Sequence, residues 1–286
     1  MTGFALTLVL AAAFVHATWN FLAKKAGGGP EFVWLFSFLT ALLYLPLNLG
    51  LIIWLQPTFG WPELISMLGS AALHLAYFLM LQQGYRNGDL SLVYPLARGT
   101  GPTLSTVAAI LFLGEHPTSL ALIGALLVVG GVFVLTGGPT IFKRDNLAPS
   151  LTFGLLTGLL IAGYTLWDKH AVSVLLIPPL LLDYGSTLGR MVMLAPYARR
   201  HWPAVRHHWR DHRWEVIGVA CFNPLSYILV LTALTFTPIS YIAPAREMSV
   251  LLVVLMGTGL LKEGDAPRRL IAAGLIVLGV VTLALN

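Results

Sequence analysis

The stretch YPLARGTGPTLSTVAAILFLGE, from Tyr94 to Glu115, places an arginine among helix-breaking residues in a segment long enough to cross a membrane. A related stretch, YIAPAREMSVLLVVLMGTGLLKE, runs from Tyr241 to Glu263. One constant shift along the chain pairs Arg98 with Arg246, Glu115 with Glu263, Trp19 with Trp167, Asn20 with Asp168 and Pro30 with Pro178. A slightly longer shift pairs Tyr77 with Tyr227 and Gly124 with Gly274. The sequence therefore predicts two copies of one structural unit.

The composition predicts an integral membrane protein. Of the 286 residues, 57% are hydrophobic and 10% are charged, and the mean hydropathy is +0.81. A hydrocarbon core of ~30 Å needs about 20 apolar residues per helix. The chain divides into ten such segments: 3–25, 31–55, 62–85, 90–114, 117–137, 150–172, 174–198, 214–236, 238–261 and 268–285. We expect an all-α fold with ten transmembrane helices and little soluble domain.

Several function classes are disfavoured by the motifs that the sequence lacks. It has no GxxxxGK[ST], HExxH or GxSxG pattern, so neither a P-loop nor these hydrolase sites are expected. The single cysteine, Cys221, excludes an intrachain disulfide and a cysteine-cluster metal site. The first segment has no basic residues before it, which favours a retained span over a cleaved signal peptide. We expect no cofactor and no enzymatic activity.

The positive charges predict an orientation. Lysine and arginine concentrate after odd-numbered spans, whereas only Lys169 follows an even-numbered span; the former are Lys24, Lys25, Arg86, Lys143, Arg144, Arg199, Arg200, Arg206, Arg210, Arg213, Lys262, Arg268 and Arg269. The positive-inside rule then makes the odd loops cytoplasmic and places both termini on the other side. These flanks account for the pI of 9.5 without a nucleic-acid partner.

Each copy holds five spans, and an odd number forces the second copy to enter the membrane upside down. The predicted units are residues 1–138 and 150–286, joined by a cytoplasmic linker, 139–149. Inverted repeats are typical of secondary transporters, which alternate between two shapes about a central site. A channel and a polytopic enzyme remain alternatives.

The paired endings, Gly114-Glu115 and Lys262-Glu263, together with ten spans in two halves, resemble the EamA-type members of the drug/metabolite transporter superfamily. Within that superfamily the chain resembles YddG-like amino-acid exporters. The resemblance implies export of small metabolites, amino acids above all, across a bacterial inner membrane. Similar proteins are often described with cytoplasmic termini, opposite to the orientation that the charges predict here.

Depth along the helices predicts a central layer and two flanking layers. With ~1.5 Å rise per residue, one polar set falls near the span midpoints. These candidate substrate-binding residues are His16, His74, Tyr77, Tyr164, Asn223 and Tyr227. Candidate gating or carboxylate-binding residues lie to either side: Trp19, Asn20, Tyr94, Arg98, Trp167 and Arg246. Prolines and glycines near both arginines predict broken helices, a sequence marker of transport sites.

Several of these residues have alternative structural interpretations. Each arginine either binds a substrate carboxylate or bonds to backbone carbonyls, or to Glu247 in the second copy. The tryptophans are gates or packing residues, and the histidines are proton carriers or satisfied members of the helix bundle. Asp168 is interpreted as a local ion-pair partner beside Lys169.

Other polar and small residues predict packing and surface features. Asp183 and Arg190 are expected to form a structural pair on one helix. Gly124 with Gly131, and Gly274 with Gly279, are expected at close helix contacts. The histidine-containing segment 199–213 is expected to be a solvated basic loop attracted to anionic lipid, with metal binding through His208 and His212 as the alternative.

The sequence as a whole favours a secondary transporter that exports neutral amino acids by alternating access. A drug or nucleotide-sugar carrier of the same fold is the main alternative, followed by a membrane enzyme. Protons are a candidate coupling ion, and we expect a monomer in the lipid bilayer without nucleic-acid partners.

Overall fold

The computed structural model describes residues 1–87, 90–135, 147–252 and 266–285, and these contain helices and connecting segments but no strand. The helices are α1 Gly3–Lys25, α2 Pro30–Leu55, α3 Trp61–Asn87, α4 Leu90–Leu113, α5 Ser119–Leu135, α6 Leu147–Ser173, α7 Pro179–Arg200, α8 Trp202–Asp211, α9 Arg213–Phe236, α10 Ile239–Ala245 and α12 Ala266–Ala284. Between α10 and α12 a further helix, α11, begins at residue 248 and is described to 252. The all-α prediction is confirmed for the described residues.

Six of these helices are long and apolar enough to cross a membrane: they comprise or contain Gly3–Lys25, Pro30–Leu55, Trp61–Gly84, Leu96–Leu113, Ala148–Ser173 and Arg213–Phe236. Ser119–Leu135 and Leu270–Ala284 are shorter apolar helices. Large apolar side chains such as Trp54 and Phe112 are about four-fifths exposed, as expected of a surface that faces lipid. Residues 136–137 and 253–261 of the fifth and ninth predicted spans, and 139–146 of the linker, lie outside the described residues.

Several helix contacts occur in pairs that are related by exchanging the two halves. In the first half α1 packs against α9 of the second, and correspondingly α6 packs against α3. The contact of α3 with α7 likewise has its counterpart in that of α2 with α9. Two further contacts, α2 with α7 and α5 with α12, join equivalent helices to each other. The core therefore consists mainly of contacts between the halves.

Glycines bring α5 and α12 close together. A Cβ at Gly124 would lie 2.9 Å from the Gly279 carbonyl oxygen, and a Cβ at Gly131 would lie 2.9 Å from the Ala272 carbonyl oxygen. These three glycines are at close contacts, as predicted. Gly274 differs from the prediction, because none of the described residues lies within 4 Å of its Cβ position. The repeat aligns Gly274 with Gly124, but the crossing point uses Gly279 instead.

The prediction that both arginine helices are broken holds for only one of them. In the second half α10 ends at Ala245, and Arg246 and Glu247 form a turn before α11. By contrast α4 is helical throughout and contains Arg98 without a break. Its prolines are accommodated because α4 packs closely on α6, where a Cβ at Gly154 would lie 2.7 Å from Leu96. Tertiary packing has overridden local propensity here.

A carboxylate from the first half caps the first turn of α10. Glu115 follows the positive-φ residue Gly114, and its two carboxylate oxygens accept from the backbone nitrogens of Ile239 and Ser240 at 2.7 and 2.9 Å. Pro238, the N-cap residue, gives no side-chain hydrogen bond of its own. Glu115 therefore supplies the missing acceptor, and it holds in place the helix that leads to Arg246.

The predicted basic loop, 199–213, is instead largely helical. It contains the end of α7 and then α8, which packs on α2, α7 and α9. The tryptophans Trp202 and Trp209 are both more than two-fifths exposed. A short helix with basic residues and exposed tryptophans at the end of a bundle is typical of a membrane interface.

Candidate functional site

A small cleft lies where the two halves meet, and its volume of about 10 Å³ is close to the space that one water molecule needs. Helix α1 contributes Ala12, Ala13 and His16 to its wall. The remaining wall comes from α4, α9, the turn after α10 and α11: Arg98, Ser226, Tyr227, Val230, Arg246 and Ser249. The cleft thus combines two cationic side chains, hydroxyl groups, aromatic rings and a small apolar surface.

Arg98 is held by the protein itself. Its Nε lies 3.0 Å from Oε2 of Glu247, and its Nη2 donates to Oγ of Ser249 at 2.9 Å. Both charged side chains are buried. An acid in contact neutralises the charge and satisfies part of the guanidinium fork, so the structural interpretation fits Arg98 better than carboxylate binding.

Arg246 differs, although the repeat aligns it with Arg98. Its guanidinium carbon lies 5.8 Å from the centre of the Tyr227 ring, within reach of a cation–π interaction. Among the described residues, no carboxylate oxygen lies within ion-pair distance of Arg246. Its side chain is partly exposed and faces the cleft. An anionic group in the cleft could therefore bind Arg246 without displacing a protein carboxylate.

Four of the six predicted central residues form one aromatic cluster. The His74 and Tyr164 rings stack with centres 4.2 Å apart, and the Tyr227 ring lies 5.1 Å from His74. Tyr77 packs edge-on against Tyr164 at 5.7 Å. Only Tyr227 of this cluster also lines the cleft. Of the six predicted central residues, only His16 and Tyr227 line the cleft. The other members of the aromatic cluster pack behind its wall.

Asp168 is the main residue whose position sequence reasoning misjudged. It is fully buried, and the Tyr227 hydroxyl donates to its Oδ2 at 2.5 Å. Its expected partner, Lys169, points elsewhere and donates to the carbonyls of Leu234 and Thr237 near the end of α9. Adjacent residues on a helix face different directions, so the local ion-pair interpretation was wrong.

The other predicted residues are dispersed. His16 lines the cleft and meets Trp19 edge-on, with ring centres 4.9 Å apart. Asn20 donates its amide to the His16 carbonyl at 2.8 Å, and Asn223 is not part of the cleft wall. The side chain of Tyr94 lies outside the described residues. Ser226 and Ser249 were not predicted, because isolated serines give little signal in a sequence.

Trp167 does not mirror Trp19. Its indole nitrogen donates to the Ser66 carbonyl at 2.9 Å, and its ring occupies the space left by Gly69 on α3. Two-fifths of the residue is exposed. This position fits an anchor between α3 and α6 rather than a second gate.

The predicted pair on α7 does not form a direct ion pair. Arg190 donates Nη2 to Oγ1 of Thr187 at 2.9 Å, and the described contacts place no Asp183 oxygen within 4.0 Å of its nitrogens. On α8, His207 pairs with Asp211 at 2.7 Å. The alternative of a metal site at His208 and His212 has no third ligand: in the described part of the chain no three His, Cys, Asp or Glu residues are arranged to hold a metal ion.

The fold and cleft define a multi-pass helical membrane protein with a polar site between two related halves. A model of the EamA-like transporter family matches residues 3–137 and again residues 148–285. The chain belongs to the EamA-like transporter family. A solved structure titled only "Crystal structure of protein" shares the fold, with a TM-score of 0.74, 17% identity and 98% of each chain covered. No curated protein matches the chain.

Proposed function

We propose that this member of the EamA-like family is a secondary transporter that exports small zwitterionic metabolites, with neutral amino acids as the preferred cargo. The cleft between the halves is the cargo site. The cargo carboxylate binds Arg246, and transport proceeds by alternating access across a bacterial inner membrane. The position of Arg246, exposed to the cleft without a carboxylate partner among the described residues, is the observation that carries this proposal.

The rest of the cleft wall supports a small cargo with a carboxylate and an apolar part. The guanidinium group of Arg246 offers parallel N–H donors that match a carboxylate. Ser226 and Ser249 add hydroxyl groups, whereas Ala12, Ala13 and Val230 leave a compact apolar surface. The rings of His16 and Tyr227 complete the wall and suit an aromatic or aliphatic side chain.

The contacts between the halves support alternating access. Most core contacts cross from one half to the other, and several of them occur as exchanged pairs, as expected of two halves that rock between two equivalent shapes. The Arg98–Glu247 pair lies beside the cleft and ties α4 to the turn after α10. We assign this pair to the closed side of the cleft, with Trp19 packed against His16 near the other wall.

Counterflow in proteoliposomes tests the carboxylate assignment. Vesicles are loaded with unlabelled L-phenylalanine, and uptake of labelled L-phenylalanine is measured against competing amino acids and their amides. We expect free amino acids to compete and amides to compete roughly 10- to 100-fold less well, the equivalent of one charge-assisted interaction. In Arg246→Gln this discrimination disappears together with most of the uptake.

Arg213→Gln is the matched control. Arg213 is also an arginine over an aromatic ring, 5.3 Å from the centre of Trp214, but it does not line the cleft. Its variant should retain both uptake and discrimination. Equal competition by acids and amides in the wild type would refute carboxylate binding at Arg246. Counterflow with nucleotide sugars or cationic drugs, but with no amino acid, would replace the proposed cargo class.

A further inference from the structure

We propose that Asp168 is the proton-binding site of this transporter and that one proton moves inward for each cargo molecule exported. The inference rests on the proposed function and deepens it by naming the coupling ion and the residue that carries it. The site comprises Asp168 on α6, Tyr227 on α9 and His74 on α3. It lies directly behind the cleft wall.

The contacts of Asp168 suit a carboxyl group that gains and loses a proton. One oxygen, Oδ2, accepts from the Tyr227 hydroxyl at 2.5 Å, and the other, Oδ1, is buried and has no hydrogen-bond partner among the described residues. Burying an ionised carboxylate without a cation in contact costs several kcal/mol. A proton on Oδ1 removes that cost and leaves the Tyr227 hydrogen bond in place.

The charged and titratable groups around Asp168 do not neutralise it by direct contact. His74 Nδ1 lies 3.9 Å from Oδ2, but that nitrogen also lies 2.9 Å from the Ser70 carbonyl oxygen, which makes it a donor to the backbone. Other groups act on Asp168 from farther away: Arg190 and Asp183 on α7, and Arg246 after α10. On α4, Arg98 is paired with Glu247. Because none of the described cations contacts Asp168 directly, a bound proton is what neutralises this carboxyl group.

Tyr227 connects this carboxyl group to the cargo site. Its hydroxyl binds Asp168, whereas its ring lines the cleft and lies under the Arg246 guanidinium group. A proton that enters the cleft meets the Tyr227 side chain before Asp168. A change in charge at Asp168 alters the Tyr227 hydrogen bond and so the surface on which Arg246 rests. Cargo binding and proton binding are thereby coupled through one side chain.

The repeat gives an independent argument. Asn20 occupies the position equivalent to Asp168, and its amide is committed to its own helix through the His16 carbonyl. The two halves therefore differ at this point in one ionisable group. Changing Asp168→Asn gives the second half the residue that the first half already has, with nearly the same size and with an oxygen that still accepts from Tyr227.

The transport test compares Asp168→Asn with Asp183→Asn, a second buried carboxyl group that contacts neither the cleft nor Tyr227. With L-phenylalanine as the probe, a gradient of one pH unit should drive accumulation up to about tenfold in the wild type and in Asp183→Asn. Asp168→Asn should still exchange labelled for unlabelled phenylalanine, although more slowly, and should show no accumulation. Accumulation in Asp168→Asn would overturn the proposal. Exchange without accumulation in the wild type would also overturn it, but would leave the proposed function standing.

An infrared measurement tests the site without any cargo. In reconstituted protein the carbonyl stretch of a protonated carboxyl group should appear and vanish as pH is varied. Because Asp183 is a second buried carboxyl group, the comparison is made in the Asp183→Asn background. The band should be present in Asp183→Asn and absent from Asp168→Asn/Asp183→Asn, and its midpoint should move in Asp183→Asn/Tyr227→Phe, which removes the hydroxyl hydrogen bond. A band that is missing from Asp183→Asn, does not respond to pH or survives in Asp168→Asn/Asp183→Asn would overturn the proposal, even if phenylalanine proved not to be a substrate.

Discussion

Arg98 and Arg246 occupy equivalent positions in the two halves, yet among the described residues only Arg98 pairs with a carboxylate. Arg98 lies in a continuous helix and pairs with Glu247. Arg246 lies in a turn between two helices and faces the cleft. The acid that neutralises Arg98 is the residue directly after Arg246 in the sequence. On the proposed assignment, the first half uses an acid of the second half for stability, and the arginine beside that acid binds the cargo.

Asn20 and Asp168 show the same division of roles. The first-half residue bonds within its own helix, and the second-half residue is buried at the contact of three helices. On the proposed assignments, equivalent positions of the two copies have different roles, one structural and one functional. The consequence is a site that is asymmetric even though the helices around it are paired.

The largest expected effect separates the two arginines by stability. Arg98→Met leaves Glu247 buried without its cation, which should lower the free energy of unfolding by about 3–5 kcal/mol. Arg246→Met removes no ion pair within the described part of the chain, and loses about 0.5–1 kcal/mol from its contact with Tyr227. Reversible denaturation in detergent micelles measures both values.

The double variant Arg98→Met/Glu247→Met is the control for this comparison. It removes both buried charges together and should recover most of the stability that Arg98→Met loses. If the two single arginine variants were equally destabilised, the assignment of separate structural and functional roles would fail.

The next effect concerns the equivalent glycines of α5 and α12. Gly124→Ala places a methyl group 2.9 Å from the Gly279 carbonyl oxygen and from Leu283, which should cost about 1–3 kcal/mol of stability. Gly274→Ala meets no atom of the residues that the structure describes within 4 Å and should stabilise its helix by roughly 0.5–1 kcal/mol. Opposite signs in thermal unfolding are expected. Two variants of the same sign would show that the α5–α12 crossing lies elsewhere.

A smaller effect should follow from Glu115→Ala. The change removes both acceptors from the first turn of α10, and loss of a helix cap typically costs about 0.5–2 kcal/mol. Because α10 leads to Arg246, the affinity for cargo should fall together with stability. Glu115→Gln retains one oxygen and should show an intermediate loss in both denaturation and counterflow. Full activity in Glu115→Ala would show that this cap does not position Arg246.

The sequence predicted the helices well because the thickness of a bilayer sets their length. The predicted segments begin and end within a few residues of α1, α2 and α9. It could not predict that α4 stays continuous, since the glycines that support Arg98's helix lie on α6, far away in the sequence. Proline and glycine in a sequence indicate that one helix tends to break, but they do not show whether a neighbouring helix supports it.

The sequence contains two indications that Asp168 lies in the centre of the bundle. It shares a helix face with Tyr164, which was assigned to the centre, and it is the repeat partner of a polar residue. Proximity to Lys169 outweighed both signals, although residues one position apart on a helix do not face each other. The partner Tyr227 is a contact across the bundle, which only the fold reveals.

The smallest expected effect concerns α8, which is present only in the second half; in the first half, residues 56–60 connect α2 to α3 without a helix. His208 on α8 lies against Phe32, with ring centres 5.5 Å apart. Burial lowers the pKa of His208, a shift that Glu31 opposes and that His207 and His212 reinforce.

Because the folded chain then binds a proton less readily than the unfolded chain, the packing of α8 should be fully stable above pH ~6.5 and weaken as pH falls below it. Hydrogen exchange of residues 202–211 should accelerate on acidification, whereas exchange in α2 should change less. His208→Phe, which retains the ring contact and cannot titrate, should abolish the acceleration. If acid loosened α8 equally in that variant, protonation of His208 would not be the cause. Asp211 would not be the cause either, since the Arg210 hydrogen bond lowers the pKa of Asp211 and keeps that carboxyl group ionised in the same range.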